Sequence, residues 1–360
     1  MSYIAKYEDL MSQTFYVDSQ SEILLLEQAA RLADSHNDID LGFRARRRML
    51  SITEITAYVD KMLAAYAWCL TQCDQLPDIY NDRDLLWSFK WLVYSLPECS
   101  YINKKQIHSI INDMEQRWQK YQLSMHTIHY MRYIVAVTMA DRETAKKYYA
   151  LCQQTSRGEY SDCSSCEHYN SVRYRVFMEE YGQAFAEAKK ILDQEHSWWG
   201  CSEAPALTPG ELIIPALKLG KIKEAQKYHQ LGYENVYGNR RFFETLAQHF
   251  MYLIYQKDDA ECRKLFDKHI PIAFGIHNDF YCFQFYLAAT CFFSNTNKDR
   301  INVSMPKNFI LHNPEQIYGV SDLKYWFMKK TRDLAVAFDE RNGNDYYQRE
   351  MNVLMELLID

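Results

Sequence analysis

Leu217-Lys218-Leu219-Gly220-Lys221-Ile222-Lys223-Glu224-Ala225 reads as the end of one helix, a one-glycine turn and the start of the next. Glycine takes the left-handed turn without a Cβ penalty, and a small residue lets two helix axes approach to about 8–10 Å. Looser versions run Thr138 to Ala145, Glu180 to Ala188 and Tyr255 to Cys262. Ala188, Ala225 and Cys262 recur at 37 residues, and Ala145 leads Ala188 by 43, the surplus falling in a loop at Ser156–Cys166. A period of this length means stacked helical hairpins.

Composition agrees with helices. The 360 residues hold 11 glycines and 8 prolines, about half the usual share, which argues against turn-rich β-sandwiches and barrels. The first 150 residues contain one glycine, Gly42, so neither a dinucleotide-binding βαβ unit nor a phosphate loop fits there. A net charge of −6 exerts no overall pull toward nucleic acid or anionic membranes. Met1–Leu10 carries Lys6, Glu8 and Asp9 where a signal peptide needs an apolar core. The most apolar run, Phe280 to Phe293, is too short to span a bilayer. These features predict a cytoplasmic protein, and the ten cysteines then read as reduced thiols.

Helical spacing extends through the chain. A capping-box pattern at Ser19-x-x-Glu22 opens a helix that stops near Ser35–Asn37, and others cover Asp40–Leu50, Thr53–Thr71 and Leu85–Leu96. Lys104–Lys120, Met125–Met139 and Arg142–Gln154 follow, then first helices of later modules at Glu167–Glu180, Leu207–Leu219 and Arg240–Tyr255. Thr208-Pro209-Gly210-Glu211 reads as a helix start, with Thr208 as cap and Pro215 kinking the helix beyond it. Asn295–Val320, with Pro306 and Pro314, reads as an irregular insertion with a short extended piece at Phe309–His312.

The Leu-Gly turn, the small residue after it, Phe266 four residues past Cys262 and Pro271 at the module end resemble the tetratricopeptide repeat family. The period is a few residues longer than that family's, and the first helices lack its tryptophan. The resemblance covers about 125–271. It implies an all-α, right-handed helical-hairpin solenoid. The expected organisation is an N-terminal helical region at 1–123, a repeat array at 124–294 with a cysteine loop at 156–168, the insertion at 295–320, and a helix pair at 321–360.

Few constellations carry chemistry. Cys163-Ser164-Ser165-Cys166 presents two thiols from one turn, and Cys201 follows about one period later. Cys163, Cys166 and Cys201 with His168 or His196 compose a Cys₃His zinc set, set against reduced loop cysteines. Cys69, Cys73, Cys262, Cys282 and Cys291 read as core. Arg44-Ala45-Arg46-Arg47-Arg48 reads as a solvated helix face beside Asp38, Asp40 and Glu54, with nucleic acid disfavoured. Trp198-Trp199 offers an aromatic anchor, set against burial between modules. No nucleophile motif is present, so the chain reads as a non-enzyme, with a helical enzyme as the remaining alternative.

What the resemblance implies is a protein- or peptide-binding scaffold with a concave groove built by first helices. Asn170, Arg173, Tyr174, Arg240, Arg241, Gln248 and Tyr252 are its groove candidates. The alternative is a peptide-responsive regulator resembling bacterial quorum-sensing repeat proteins but without a DNA-binding domain.

Overall fold

The computed structural model describes residues 2–53, 58–193 and 201–359. It is all-α: 76% helix, with seventeen α-helices and two three-residue strands among the described residues. The N-terminal part contains α1 (Tyr3–Gln13), α2 (Ser19–Ser35), α3 (Ile39–Thr53), α4 (Val59–Gln75), α5 (Leu86–Ser95) and α6 (Lys104–Lys120). Hairpins follow as α7 (His126–Thr138) with α8 (Arg142–Gln154), α9 (Ser164–Phe177) with α10 (Tyr181–Leu192), and α11 (Glu203–Lys218) with α12 (Ile222–Val236). Then come α13 (Phe243–Tyr255) with α14 (Asp259–Gly275), and α15 (Asp279–Asn295) with α16 (Val320–Asn342) and α17 (Tyr346–Leu358). No helix among the described residues is long and apolar enough to cross a membrane.

One turn geometry joins the hairpins. Ala140, Glu179, Gly220 and Lys257 each take a left-handed conformation, with φ of 56°, 62°, 68° and 56°. In each case the next N–H reaches five residues back: Asp141 to Ala136, Glu180 to Arg175, Lys221 to Ala216 and Asp258 to Leu253. These are Schellman closures, which satisfy carbonyls the helix end leaves unpaired. Five residues after each turn stands a buried small residue: Ala145, Ala184, Ala225 and Cys262. The register at the second turn therefore falls on Ala184, one helical turn before Ala188, and the even spacing of 37 does not extend through it. Three of the four turn residues are not glycine, which hides the turn from a search for glycines. Asn37 (φ 52°) and Gly42 repeat the arrangement between α2 and α3; a Cβ on Gly42 would meet the Trp68 ring at 3.2 Å.

First helices stack on first helices, in the order α5, α7, α9, α11, α13, α15, and each second helix packs on its own partner. The two main cores divide at α9: Tyr174 and Phe177 pack toward the N-terminal helices, Tyr169 and Val172 toward the C-terminal ones. The ends of the array meet. Ser100 donates to Asp279 through its N–H (2.9 Å) and its hydroxyl (2.6 Å), Asn278 Nδ2 donates to Glu98 (2.7 Å), and Arg341 to the Cys99 carbonyl (2.8 Å). Arg240 Nη2 bridges Tyr58 Oη (3.1 Å) and the Gly275 carbonyl (2.5 Å).

Three local expectations are corrected. The helix expected to start at Thr208 starts at Glu203. Pro209 and Pro215 both lie inside it, and Thr208 Oγ1 donates back to the Ala204 carbonyl at 2.6 Å instead of capping. Gly210 supplies the reason for that odd sequence: a Cβ there would meet Thr245 Cβ at 2.6 Å, so α11 and α13 touch at this point. Pro271 does not end its module, since α14 continues to Gly275. Phe309–His312 is a turn; the extended pieces are β1 (Arg300–Asn302) and β2 (Ile317–Gly319), antiparallel with Ile301 opposite Tyr318. Only Phe309 of that apolar run is buried, against Trp326, while Ile310 is exposed.

Candidate functional site

Three thiols from two hairpins converge. Cys163 caps α9, its sulfur accepting from the Cys166 N–H at 3.4 Å. Cys201 stands just before α11, and its sulfur is 3.5 Å from that of Cys166. All three sulfurs lie within 4.8 Å of one another. Zinc–sulfur bonds of about 2.3 Å at tetrahedral angles put sulfurs about 3.8 Å apart, so the set has the spacing of a single-ion site. Neighbouring Cys201 and burial push the Cys166 thiol up. Cys163 and Cys166 therefore keep their protons at neutral pH, and a soft divalent ion is the species that would displace them.

The loop before the cysteines is anchored independently. Lys90, buried on α5, pairs with buried Asp162 and sits 3.5 Å from the Trp87 ring centroid. Arg83 pairs with Glu159 at 2.8 Å, and Arg157 with Glu167 at 3.0 Å. His168 does not join the sulfurs; its Nδ1 lies 2.5 Å from Glu187. His196 and Trp198-Trp199 lie outside the described residues.

The groove candidates sit deeper than an open groove implies. Asn170 is buried and donates to Tyr130 Oη (2.8 Å) and the Cys166 carbonyl (3.1 Å). Arg173 is buried and donates to Tyr94 Oη at 2.6 Å. Tyr174 stacks on Tyr149 at 3.9 Å, and Tyr252 on His229 at 4.5 Å. Arg240 belongs to the seam described above, and the Arg241 side chain lies outside the described residues.

Two of these residues, Arg173 and Gln248, meet at a cavity of about 160 Å³. Glu211, Gln284 and Glu350 add polar groups, and Val137, Phe177, Ile214, Met251, Phe283 and Leu287 are among its apolar walls. Gln284 Oε1 is buried and has no hydrogen-bond partner. The roof is α17: Tyr346 packs edge-on against Phe177, Tyr347 Oη donates to the Thr138 carbonyl (2.5 Å), and Glu350 pairs with Lys218 (2.9 Å). Glu211, Gln284 and Glu350 were not legible as site residues, because nothing in their local sequence marks the wall they share.

Two further clusters also escaped the sequence. Cys152 Sγ lies 3.4 Å from His126 Nε2, whose Nδ1 faces Ser161 at 3.2 Å and Glu167 at 3.8 Å. Burial pushes the Cys152 thiol up to about 12, so it carries a proton at neutral pH. His229 and His249 place their Nδ1 atoms 3.2 Å apart, and burial lowers them to about 4 and about 3. The arginine cluster on α3 is paired with acids: Arg44 with Glu8, Arg46 with Asp34, Arg47 with Asp84 and Arg48 with Glu22.

Compared with protein-family models and with curated proteins, the sequence matches none.

Proposed function

We propose that this chain is a non-catalytic binding protein of the cytoplasm, a right-handed array of tetratricopeptide-like hairpins that holds a segment of a partner protein or peptide on its inner surface. The observation that carries this reading is the convergence of Arg173, Glu211, Gln248 and Gln284, from α9, α11, α13 and α15, on one apolar-walled cavity. A few directional polar groups in an apolar wall are the usual makings of a binding site. Amide side chains both donate and accept, as a peptide backbone requires.

Zinc at Cys163, Cys166 and Cys201 supports the same surface. The ion would tie the start of α9 to the start of α11, the helices that carry Arg173 and Glu211. Its role in this reading is structural.

A second reading, a regulator answering a short signalling peptide, is favoured by the cavity's size. About 150 Å³ holds one aromatic ring, so with α17 in place the cavity seats one side chain.

The test is capture of partners on the immobilised full chain, beside Gln248→Leu and Gln284→Leu. Loss of one specific partner on both variants, with unchanged melting, is the expected result. Retention of that partner at wild-type affinity overturns the assignment.

A further inference from the structure

We propose that Cys163, Cys166 and Cys201 form a redox-modified site, at which a small soluble disulfide oxidises Cys166 and Cys201 to an intramolecular bridge that fastens α9 to α11. The inference goes beyond the binding reading and rests on the convergence of the three sulfurs alone. A sulfur tied in a disulfide offers zinc no thiolate, so the bridge and the ion exclude one another.

Burial separates these three thiols from the rest. Cys69, Cys73, Cys99, Cys152, Cys262, Cys282 and Cys291 are buried, Cys166 and Cys201 are half-buried, and Cys163 is exposed. A reagent arriving from solution therefore meets Cys163 first. Behind it, Cys166 Sγ stands 3.5 Å from Cys201 Sγ, in van der Waals contact, and all three sulfurs lie within 4.8 Å of one another. Drawing that contact in to a disulfide bond of about 2.05 Å takes a movement of about 1.5 Å.

The exchange runs in three steps. Cys163, through its minor thiolate form, attacks one sulfur of the reagent RSSR; the S–S bond breaks and one RSH leaves. Cys166 then attacks Cys163 Sγ and expels the second RSH, which joins Cys163 to Cys166. Cys201 attacks Cys166 Sγ and expels Cys163 as a thiolate, which takes up the proton that Cys201 gave. In sum Cys166 and Cys201 lose two electrons and two protons, and RSSR becomes two RSH. The backbone suits Cys163 to leaving. It caps α9, and the Cys166 N–H donates to its sulfur at 3.4 Å, so the departing thiolate meets a donor and the positive end of the helix dipole.

The probe is oxidised glutathione, added to the full-length protein after reduction and removal of metal. Free thiols are then alkylated and the peptides mapped by mass spectrometry. One bridge, Cys166 to Cys201, is expected, with the other cysteines alkylated. Cys163→Ser should form the same bridge at least tenfold more slowly. The oxidised wild-type protein should melt higher, because the bridge closes a loop around α9 and α10 that the unfolded chain must keep as well. Alkylation of all ten cysteines, a mixed disulfide that persists on Cys163, or a bridge that ends at Cys163–Cys166 overturns the proposal. Equal rates for wild type and Cys163→Ser overturn it as well. Protein that holds one zinc yet forms no bridge once the ion is removed overturns it and leaves the zinc and binding readings standing. A Cys166–Cys201 bridge in protein that never takes up zinc supports it and removes zinc instead.

Discussion

Cys166 Sγ lies 3.5 Å from Cys201 Sγ, although 35 residues separate them in the chain. The contact exists because both sit at the N-terminal ends of neighbouring first helices, α9 and α11. With Cys163 as a third sulfur, the fold gathers three soft ligands within 4.8 Å of one another.

The first prediction follows. Protein purified without chelator should hold close to one zinc per chain by elemental analysis, and Cys166→Ser should lose it. Chelation should lower the melting temperature. Protein free of metal, with melting indifferent to chelator, would rule the site out.

The turn register predicts opposite outcomes for two neighbours. Ala140→Gly removes a left-handed Cβ clash worth about 1–2 kcal/mol, partly offset by the added flexibility of glycine. It should raise the melting temperature. Ala145→Gly, at the buried crossing, should lower stability by about 1 kcal/mol or more. Calorimetry on the two variants decides whether the turn is placed correctly.

Gly210→Ala tests the contact between α11 and α13. Alanine normally stabilises a helix interior, by about 0.5–1 kcal/mol over glycine. Here the new Cβ would stand 2.6 Å from the Cβ of buried Thr245, an atom fixed to the backbone that no change of rotamer moves. Overpacking of this kind costs about 1–3 kcal/mol, so urea unfolding should show a net loss. A gain would mean the two helices are farther apart.

Acid should weaken the fold through buried histidines. Burial lowers His229 and His269 to about 4 and His249 to about 3. Unfolded, each titrates near 6.5. Between pH 6.5 and about 4 the unfolded chain therefore binds more protons, and stability falls as pH falls. Glu167 acts the other way: burial raises it to about 7, so its contribution is full below 4.5 and lost as pH rises toward 7. Burial lowers His108, His126 and His129 as well and raises Asp267, and the more numerous histidines set a net slope that favours neutral pH. Denaturant midpoints at pH 7 and 5 should differ less in His229→Gln/His249→Gln than in wild type; an equal difference would refute the assignment.

The sequence by itself determined which stretches are helical, while some ends moved: α11 begins at Glu203 and not at Thr208, and α14 runs past Pro271. Lys104–Lys120 and Arg142–Gln154 match their expected bounds, because apolar spacing and capping side chains act within a few residues. Gly220 revealed one turn, for only glycine enters the left-handed region without cost. Ala140, Glu179 and Lys257 take the same conformation at a cost that packing of the hairpins offsets, so composition gave no sign of them. The CxxC pair was local and legible, while Cys201 came to it through the repeat period. What tertiary structure alone decided is which surface is free. The first helices close round until Asp279 reaches Ser100, α17 covers the inner face where Arg173 is buried, and Tyr174 and Tyr252 turn to the second helices, stacking on Tyr149 and His229. Closure depends on the summed small rotations of successive hairpins, and the seat of α17 on surfaces supplied by α7, α9, α11 and α15 together. Neither is encoded in any single segment.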